Sequence, residues 1–286
     1  MANPEYLLEM RHITKEFPGV RALDDVEFQV REGDIHCLVG ENGAGKSTLM
    51  KILSGVHPYG TYEGDIVFKG EVQKFHNVRD SENAGIGIVY QEISLIPELS
   101  VYENLFFGHE ITKGGGFMVD WEATRRAAIE IMDRVHLDVD PDIKVNYLGV
   151  GQQQLIQIAQ NLSQNSELLI LDEPTAALND RDCDHLLSLL RELRDDGVTI
   201  IMISPKLAEV LEIADYITVL RDGMSVKDFD AREQKPSSQD IIRNMVGREI
   251  LDIYGTRDTE VQDEVILELR NWTVHHPQTG LELLSD

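Results

Sequence analysis

The sequence GENGAGKS at residues 40–47 decides the fold of this chain. It fits the pattern G-x-x-x-x-G-K-[ST] and lies between a predicted strand that ends at Val39 and a predicted helix that begins near Ser47, the two contexts that a phosphate-binding loop requires. Glycines in such a loop let backbone N–H groups turn inward and form an anion cradle at a helix N-terminus. The alternative is a glycine-rich turn without a ligand. We therefore expect Lys46 to reach the β- and γ-phosphates of a nucleotide and the Ser47 hydroxyl to hold Mg²⁺.

A second chemical feature is an apolar strand, Leu168–Leu171, that ends in the carboxylates Asp172 and Glu173. Four large apolar residues indicate a strand buried on both faces, and its carboxyl end is the edge at which open α/β sheets bind ligands. Asp172 is suited to the Mg²⁺ shell and Glu173 to polarising an attacking water. An acidic strand end by itself more often caps a helix, but the phosphate loop favours the catalytic interpretation.

Size and charge limit the class of protein. The chain has 286 residues, enough for one large domain or two small ones, and its net charge is −25. Such a surface repels phosphate backbones and argues against nucleic-acid binding. No apolar run approaches the ~20 residues of a spanning helix, and the first residues give no expectation of a secretory signal. The two cysteines, Cys37 and Cys183, are too few for a disulfide framework and suit a reducing cytosol.

Short apolar runs alternate with helical patterns, which predicts an α/β fold. The early strands are short and separated by turn signals, and they indicate an antiparallel β piece beside the parallel core. The predicted strands are Leu7–Ile13, Val26–Val30, Asp34–Val39, Gly64–Phe68, Gly87–Tyr90, Leu168–Asp172, Val198–Ile203, Tyr216–Arg221 and Ser225–Asp230.

Residues 93–164 have a different pattern, with apolar residues at helical spacing. Asp120 is placed to cap one helix that continues to Val135, and a second helix is predicted over Gln152–Leu162. The run Lys113–Gly116 between them is expected to be a flexible surface loop. We interpret this region as a helical subdomain inserted into an α/β core that spans residues 1–230.

The chain after Asp230 is predicted to be an extension and linker over residues 231–262, with Asp240 capping a short helix through Val246. An internal repeat then begins. Residues 8–14 (LEMRHIT) align with 267–273 (LELRNWT), and 22–25 (ALDD) align with 283–286 (LLSD). A repeat at this place predicts that residues 263–286 are the start of a second copy of the domain.

The segment LGVGQQQ at residues 148–154 lies upstream of Asp172 and opens a predicted helix. With the phosphate loop and the two carboxylates, it makes the chain resemble the nucleotide-binding subunit of an ABC transporter, whose signature is usually L-S-G-G-Q. The resemblance implies an α/β fold of the P-loop NTPase (RecA-like) type. It also implies two domains packed head to tail, with the signature of one capping the ATP held by the other. Gly149 and Gly151 would present N–H groups at a helix N-terminus. Gly149 stands where serine is usual, so one hydroxyl donor is lost.

The resemblance also implies roles for residues that composition alone would not single out. Gln91 would be the Q-loop glutamine that senses Mg²⁺ and water, and Phe17 would stack on adenine, the alternative being a core aromatic. Residues 177–180 would be the D-loop that contacts the partner domain. The expected catalytic residues are Glu173, Lys46 and Gln91; the expected metal ligands are Ser47, Gln91 and Asp172. The expected ATP-binding residues are Phe17, Gly40, Glu41, Asn42, Gly43, Ala44, Gly45, Lys46, Ser47, Thr48, Gly149, Gly151 and Gln152.

The most informative departure from the family is Pro205, in the segment SPKLAEV at residues 204–210 where S-H-K-L-x-E-V is usual. The family's histidine contacts the γ-phosphate, whereas proline has neither a side-chain donor nor a backbone N–H. We predict slow or absent hydrolysis with ATP binding retained. The contrary interpretation is that Glu173 and Gln91 suffice.

The repeat and the segment from Leu220 to Glu249 narrow the resemblance to the N-terminal half of tandem ATPase subunits of monosaccharide importers, the ribose, xylose and galactose class. That resemblance implies ATP and Mg²⁺ as cofactors, membrane permease subunits as partners, and a periplasmic sugar-binding protein as an indirect one. It places the chain peripherally on the cytoplasmic face of the cell membrane, without insertion. The segment at residues 93–108 would dock on the permease. The alternative from another class, a soluble tandem ABC protein acting on ribosomes or DNA, usually needs basic surfaces.

Overall fold

The computed structural model describes residues 6–114 and 118–247 and, nearer the end, residues 268, 270, 273–275 and 282–284. The chain divides into two compact units, Met1–Glu249 and Ile250–Asp286. Among the described residues, no helix combines the length and the apolar character that crossing a membrane requires.

The elements alternate between strands and helices as the sequence pattern predicts. The strands are β1 Tyr6–Phe17, β2 Val20–Arg31, β3 Ile35–Val39, β4 Glu63–Phe68, β5 Glu71–Gln73, β6 Ile86–Val89, β7 Thr112–Lys113, β8 Met118–Val119, β9 Leu168–Asp172, β10 Thr199–Ile203, β11 Tyr216–Arg221, β12 Met224–Asp230, β13 Val274–His275 and β14 Glu282–Leu284. The helices are α1 Lys46–Leu53, α2 Val78–Ala84, α3 Val101–Leu105, α4 Trp121–Arg134, α5 Val150–Ser163, α6 Asp180–Asp195, α7 Leu207–Ile213 and α8 Ser238–Val246, with a short 3-10 helix at Val145–Tyr147.

The first strands form an antiparallel sheet in the order β2-β1-β4-β5. Along β2, Val26, Phe28 and Val30 are buried while the residues between them are exposed. This two-residue period buries one face of the sheet and leaves the other in water, as is typical of antiparallel sheets. The predicted antiparallel β piece is therefore confirmed.

The second sheet has the order β12-β11-β3-β10-β9-β6, and all of its pairs are parallel except β11 with β12. Every residue of β3 and of β10 is buried, because one face of the sheet packs against α5 and α6 and the other against α1 and the antiparallel sheet. Ile203 at the end of β10 pairs with Asp172 of β9 and with Leu38 of β3. The carboxyl ends of the three strands that carry the predicted site thus meet at one edge.

The predicted helical subdomain contains α3, α4, α5 and the 3-10 helix. Asp120 caps α4 as expected, since its side chain accepts a hydrogen bond from the Ala123 N–H. The loop prediction for Lys113–Gly116 needs correction at its first residue: Lys113 lies in β7 and pairs with Met118 of β8. Gly115 and Gly116 lie outside the described residues.

Helix α8 lies in the predicted linker but belongs to the first compact unit. Ile241 on this helix is fully buried, and Arg221 Nη1 donates to the Asn244 carbonyl oxygen at 2.9 Å. The prediction that Asp240 caps the helix is wrong. The cap is Ser237, because a serine followed three residues later by an acidic residue forms a reciprocal capping box, in which Asp240 accepts from the Ser237 N–H.

The second unit contains the antiparallel pair of β13 and β14. Val274 pairs with Leu284 and His275 pairs with Glu282, with a register shift between the two pairs.

Candidate functional site

The phosphate-binding loop joins the buried strand β3 to helix α1. Gly45 is the N-cap of α1 with φ of +104°, a backbone conformation that glycine adopts without steric cost. The Leu49 N–H donates to the Gly45 carbonyl oxygen at 2.9 Å and begins the helix. The loop therefore ends at a helix N-terminus, where backbone N–H groups and the helix dipole favour an anion.

The back of the loop is packed against other backbone. A Cβ on Gly40 would lie 2.2 Å from the Leu220 carbonyl oxygen, and one on Gly45 would lie 2.7 Å from the Ala22 carbonyl oxygen. The Gly223 N–H donates to the Ala44 carbonyl oxygen at 3.1 Å. The turn between β11 and β12 and the start of β2 thus fix the loop in place, and this requires glycine at residues 40 and 45.

Lys46 is the cation of the loop. Its side chain is buried, and Nζ donates to the carbonyl oxygens of Gly40 at 2.8 Å and of Glu41 at 3.0 Å. Burial lowers the pKa of Lys46, while the charges of Glu173 and Asp172 act in the opposite direction. The ammonium group is therefore held inside the loop and faces the two carboxylates predicted to act with it.

Asp172 and Glu173 lie at the end of β9, and both are half-buried. Burial and the neighbouring Glu173 raise the pKa of Asp172, against the lowering effect of Lys46 and Lys51. Glu173 has φ of +50°, which is uncommon outside glycine and is typical of functional positions. Gln91 Nε2 donates to Glu173 Oε2 at 3.2 Å, so the residue predicted to lead into the helical subdomain contacts the proposed catalytic carboxylate directly.

A pocket of about 600 Å³ brings part of the phosphate loop and Glu173 together, whereas Asp172 and Gln91 are not in its lining. From the predicted set, its lining contains Asn42, Gly43, Gly45, Lys46, Ser47, Thr48 and Glu173. It also contains residues that the sequence analysis did not assign to the site, namely Val20, Arg21, Ala22, Asp222 and Gly223. The Asp-Gly pair at 222–223 is a hairpin-turn signal, but only the packing of β11 and β2 on the loop places it at the pocket.

Phe17 is at the end of β1 and pairs with Val20, which lines the pocket. Its side chain is 39% exposed, so the alternative that it is a core aromatic is wrong. Its ring meets that of His57 edge-on at 5.5 Å, and Lys15 Nζ lies 5.2 Å from its centre. A partly exposed ring next to a residue that lines the pocket is compatible with stacking on a base, which stays a prediction.

The signature-like residues are elsewhere. Gly149 is the N-cap of α5, and its N–H donates to Gln152 Oε1 at 3.2 Å. A Cβ on Gly151 would lie 2.8 Å from Asp182 Oδ2 of α6, so the glycine permits a close approach of these helices. Gly151 and Gln152 line a separate cavity of about 240 Å³. Within this chain, the structure does not bring them to the phosphate loop.

Pro205 follows the buried strand β10 and is exposed. Ser204 before it is buried, and the Lys206 N–H after it donates to Ser204 Oγ at 3.1 Å. Ile203 is adjacent to Asp172 in the sheet and accepts the Glu173 N–H at 2.9 Å. Residue 205 thus lies two residues after Ile203, the strand residue adjacent to Asp172, and its effect on hydrolysis stays a prediction.

The donor set fits a magnesium-bound nucleotide. A hydroxyl, a carboxylate and an amide oxygen, from Ser47, Asp172 and Gln91, are the hard oxygen ligands that Mg²⁺ prefers. Adjacent half-buried carboxylates, with the pKa of Asp172 raised, indicate a place where a divalent cation would relieve like-charge repulsion. The backbone N–H groups of the loop and the Lys46 ammonium group are suited to binding the phosphates.

Comparison with known proteins agrees with this geometry. A family model described as ABC transporter matches residues 23–176. The L-arabinose transport ATP-binding protein AraG of Geobacillus stearothermophilus is 53% identical over 273 residues, which cover 96% of this chain and 53% of that protein. The xylose import ATP-binding protein XylG of Thermoanaerobacter pseudethanolicus is 49% identical over 283 residues, 99% of this chain and 55% of that protein. The chain thus spans about half the length of the curated relatives it matches.

Solved structures show the same architecture and confirm the predicted fold class. The ADP conformation of MJ1267, an ATP-binding cassette of an ABC transporter, superimposes with a TM-score of 0.73 at 25% identity and covers 85% of this chain and 99% of that chain. The dimeric post-hydrolysis state of the cassette MJ0796, bound to ADP and Pi, has a TM-score of 0.65 at 25% identity and covers 78% of this chain and 98% of that chain.

Proposed function

The chain belongs to the ABC transporter family, and from this membership we propose that it is an ATP-binding and ATP-hydrolysing motor for the import of a monosaccharide into a bacterial cell. The observation that carries the proposal is the pocket that the phosphate loop, Lys46, Ser47 and Glu173 line together. It combines an anion cradle, a cation and a carboxylate, which are the parts that phosphoryl transfer to water needs.

Each residue then has a task that its position supports. Backbone N–H groups of residues 43–47 and Lys46 bind the phosphates, and Phe17 stacks on the adenine. Glu173, oriented by the Gln91 amide, accepts a hydrogen bond from the attacking water. Ser47, Asp172 and Gln91 would hold Mg²⁺, which would supply charge neutralisation at the phosphates. Gly149, Gly151 and Gln152 act on the ATP of a partner domain, because they lie on a separate face of this one.

The sugar class and the membrane partner are argued from the relatives and from one surface. The relatives' names concern arabinose and xylose, both pentoses.

A groove of about 790 Å³ includes Phe106 and Phe107 of the predicted docking segment, together with Arg79 and His109. Leu95 and Phe106 are buried and Ile93, Ile96 and Leu99 are partly buried, whereas Phe107 is 54% exposed and is the apolar side chain that the segment presents to a partner. We propose that a permease subunit covers this groove and holds the chain peripherally at the cytoplasmic face.

A tandem organisation is supported by strand register. Under the alignments of residues 8–14 with 267–273 and of 22–25 with 283–286, Lys15 and Glu16 correspond to Val274 and His275. In β1–β2, Lys15 pairs with Leu23 and Glu16 with Arg21, with a shift between the pairs. The pairs Val274–Leu284 and His275–Glu282 repeat that register and its shift. We propose that a second ABC domain of the same protein begins here and that a periplasmic sugar-binding protein delivers the sugar to the permease.

The second candidate is a domain that binds ATP but hydrolyses it slowly. Pro205 favours it, because proline offers no hydrogen-bond donor at the position where the family has histidine. The two candidates share ATP binding and differ only in turnover.

The test is ATP binding by the purified chain, measured by calorimetry with and without Mg²⁺. We expect Lys46→Ala to weaken binding by about 10- to 150-fold, since one charge-assisted phosphate contact of about 1.5–3 kcal/mol is lost. The matched control is Lys235→Ala, an exposed lysine on the segment before α8, which we expect to leave the affinity within twofold. Equal affinities for Lys46→Ala and the parent would contradict the proposed site.

A further inference from the structure

Glu209 on α7 is a buried carboxylate that the proposed reaction has not used. Its side chain is 8% exposed, and each of its two carboxylate oxygens has two hydrogen-bond donors. Oε2 accepts from Thr175 Oγ1 at 2.6 Å and from Ser204 Oγ at 2.9 Å. Oε1 lies 3.0 Å from Lys206 Nζ and accepts from Cys183 Sγ at 3.3 Å.

These partners come from separate parts of the fold. Thr175 follows the catalytic carboxylate Glu173 by two residues, and Ser204 and Lys206 flank Pro205. Burial by itself raises the pKa of Glu209, but the hydrogen bonds, above all those from Thr175 and Lys206, outweigh it, and the pKa is lowered. The carboxylate is therefore ionised and fully partnered, and removing its charge leaves buried donors without an acceptor.

Further hydrogen bonds join the same two segments. The Glu173 N–H donates to the Ile203 carbonyl oxygen at 2.9 Å, and Lys206 Nζ donates to the Thr175 carbonyl oxygen at 3.1 Å. Two hydrogen bonds thus join the two segments directly, and Glu209 joins them at a third place because it accepts from Thr175 and from Ser204.

We propose that Glu209 is a positioning residue: it fixes the segment that contains Glu173 against the segment that contains Pro205, and so sets the orientation of the catalytic carboxylate. Glu173 has a left-handed backbone, a conformation that persists only where the surroundings hold it. Thr175 follows Glu173 by two residues, and its hydroxyl is held by a hydrogen bond to Glu209. The effect on catalysis rests on the proposed ATPase function, whereas the joining of the two segments by Glu209 does not.

The competing explanation is that Glu209 merely stabilises the packing of α7 on α6. The chain offers a matched control for this. Glu212 lies on the same helix and pairs with Arg191 of α6 at 2.6 Å, and among the described residues its side chain makes no hydrogen bond or ion pair to the segment after β9 or the segment after β10. A residue that only joins the two helices should behave like Glu212.

The experiment compares Glu209→Gln, Glu209→Ala, Thr175→Val and Glu212→Gln in the full chain. Amide hydrogen exchange is followed by mass spectrometry, and Mg-ATP affinity and ATP turnover are measured alongside. We expect Glu209→Gln and Thr175→Val each to speed exchange at residues 173–176 and 204–206 by at least about tenfold. Exchange in α1 should be unchanged and the ATP affinity should stay within twofold. Turnover, where the parent has it, should fall at least about tenfold without a change in KM.

Glu209→Gln keeps the size of the side chain, so it tests the proposal even where Glu209→Ala does not fold. Unchanged exchange at residues 173–176 would overturn the proposal, and so would faster exchange spread evenly over α6 and α7 or an equal effect of Glu212→Gln. A parent that binds no ATP would instead contradict the proposed function, and the exchange data would still decide the role of Glu209.

Discussion

Replacing Pro205 by histidine gives the sharpest test of how this domain uses ATP. Residue 205 is exposed and lies two residues after Ile203, which is adjacent to Asp172 in the sheet and accepts the Glu173 N–H. A histidine there would add one side-chain donor at the edge of the phosphate site. The substitution would also restore a backbone N–H that proline lacks.

The magnitude follows from the kind of bond that is added. A hydrogen bond to a charged group contributes about 1.5–3 kcal/mol, and each 1.36 kcal/mol of transition-state stabilisation is tenfold in rate. We therefore expect Pro205→His to raise ATP turnover by about 10- to 150-fold. The cost to stability should stay under about 1 kcal/mol, because the side chain is exposed and only the restriction of the unfolded chain by proline is lost.

The assay is phosphate release at saturating Mg-ATP, made on the complete protein from which this chain comes. Pro205→Ala is the matched control, since it restores the N–H without a side-chain donor, and it should remain near the parent rate. An unchanged rate in Pro205→His with unchanged ATP affinity would refute the reasoning. It would mean that Glu173 and Gln91 suffice or that another step limits turnover.

Three further predictions concern stability and docking. In chemical denaturation, Gly40→Ala should lower the free energy of unfolding by about 2–4 kcal/mol, because its Cβ would lie 2.2 Å from the Leu220 carbonyl oxygen. Gly149→Ala is the control: its Cβ would have its nearest neighbour at 4.0 Å, so the free energy of unfolding should change by under about 0.5 kcal/mol. Burial and the charge of Arg31 lower the pKa of His36 to about 3. Between pH 6.5 and about 3, His36 is therefore protonated only in the unfolded state. On acidification through that range, the parent should lose up to about 1.4 kcal/mol of stability per pH unit relative to His36→Gln. Phe107→Ser should weaken capture by permease-containing membranes at least about tenfold while ATP affinity stays within twofold, and equal capture would contradict the docking groove.

Much of the fold was predictable because its signals are local. The apolar runs Ile35–Val39 and Leu168–Leu171 are buried strands, as their composition indicates, and the loop at residues 40–47 has the strand before it and the helix after it. The cap of α4 at Asp120 was predictable for the same reason. The cap of α8 was misassigned to Asp240, because a capping box contains two residues that are each suited to the role.

The sequence by itself determined the chemistry that this domain carries: a phosphate loop, two carboxylates at a strand end and a proline at residue 205. Only the tertiary structure decided which distant residues complete the site. The turn at Asp222–Gly223 and the start of β2 line the pocket, and Glu209 accepts hydrogen bonds from segments that precede it by up to 34 residues. The physical reason is that strand order in the sheet, and not position along the chain, brings the carboxyl ends of β3, β9 and β10 to one edge. A motif fixes the geometry of its own backbone, whereas packing fixes what lies against it.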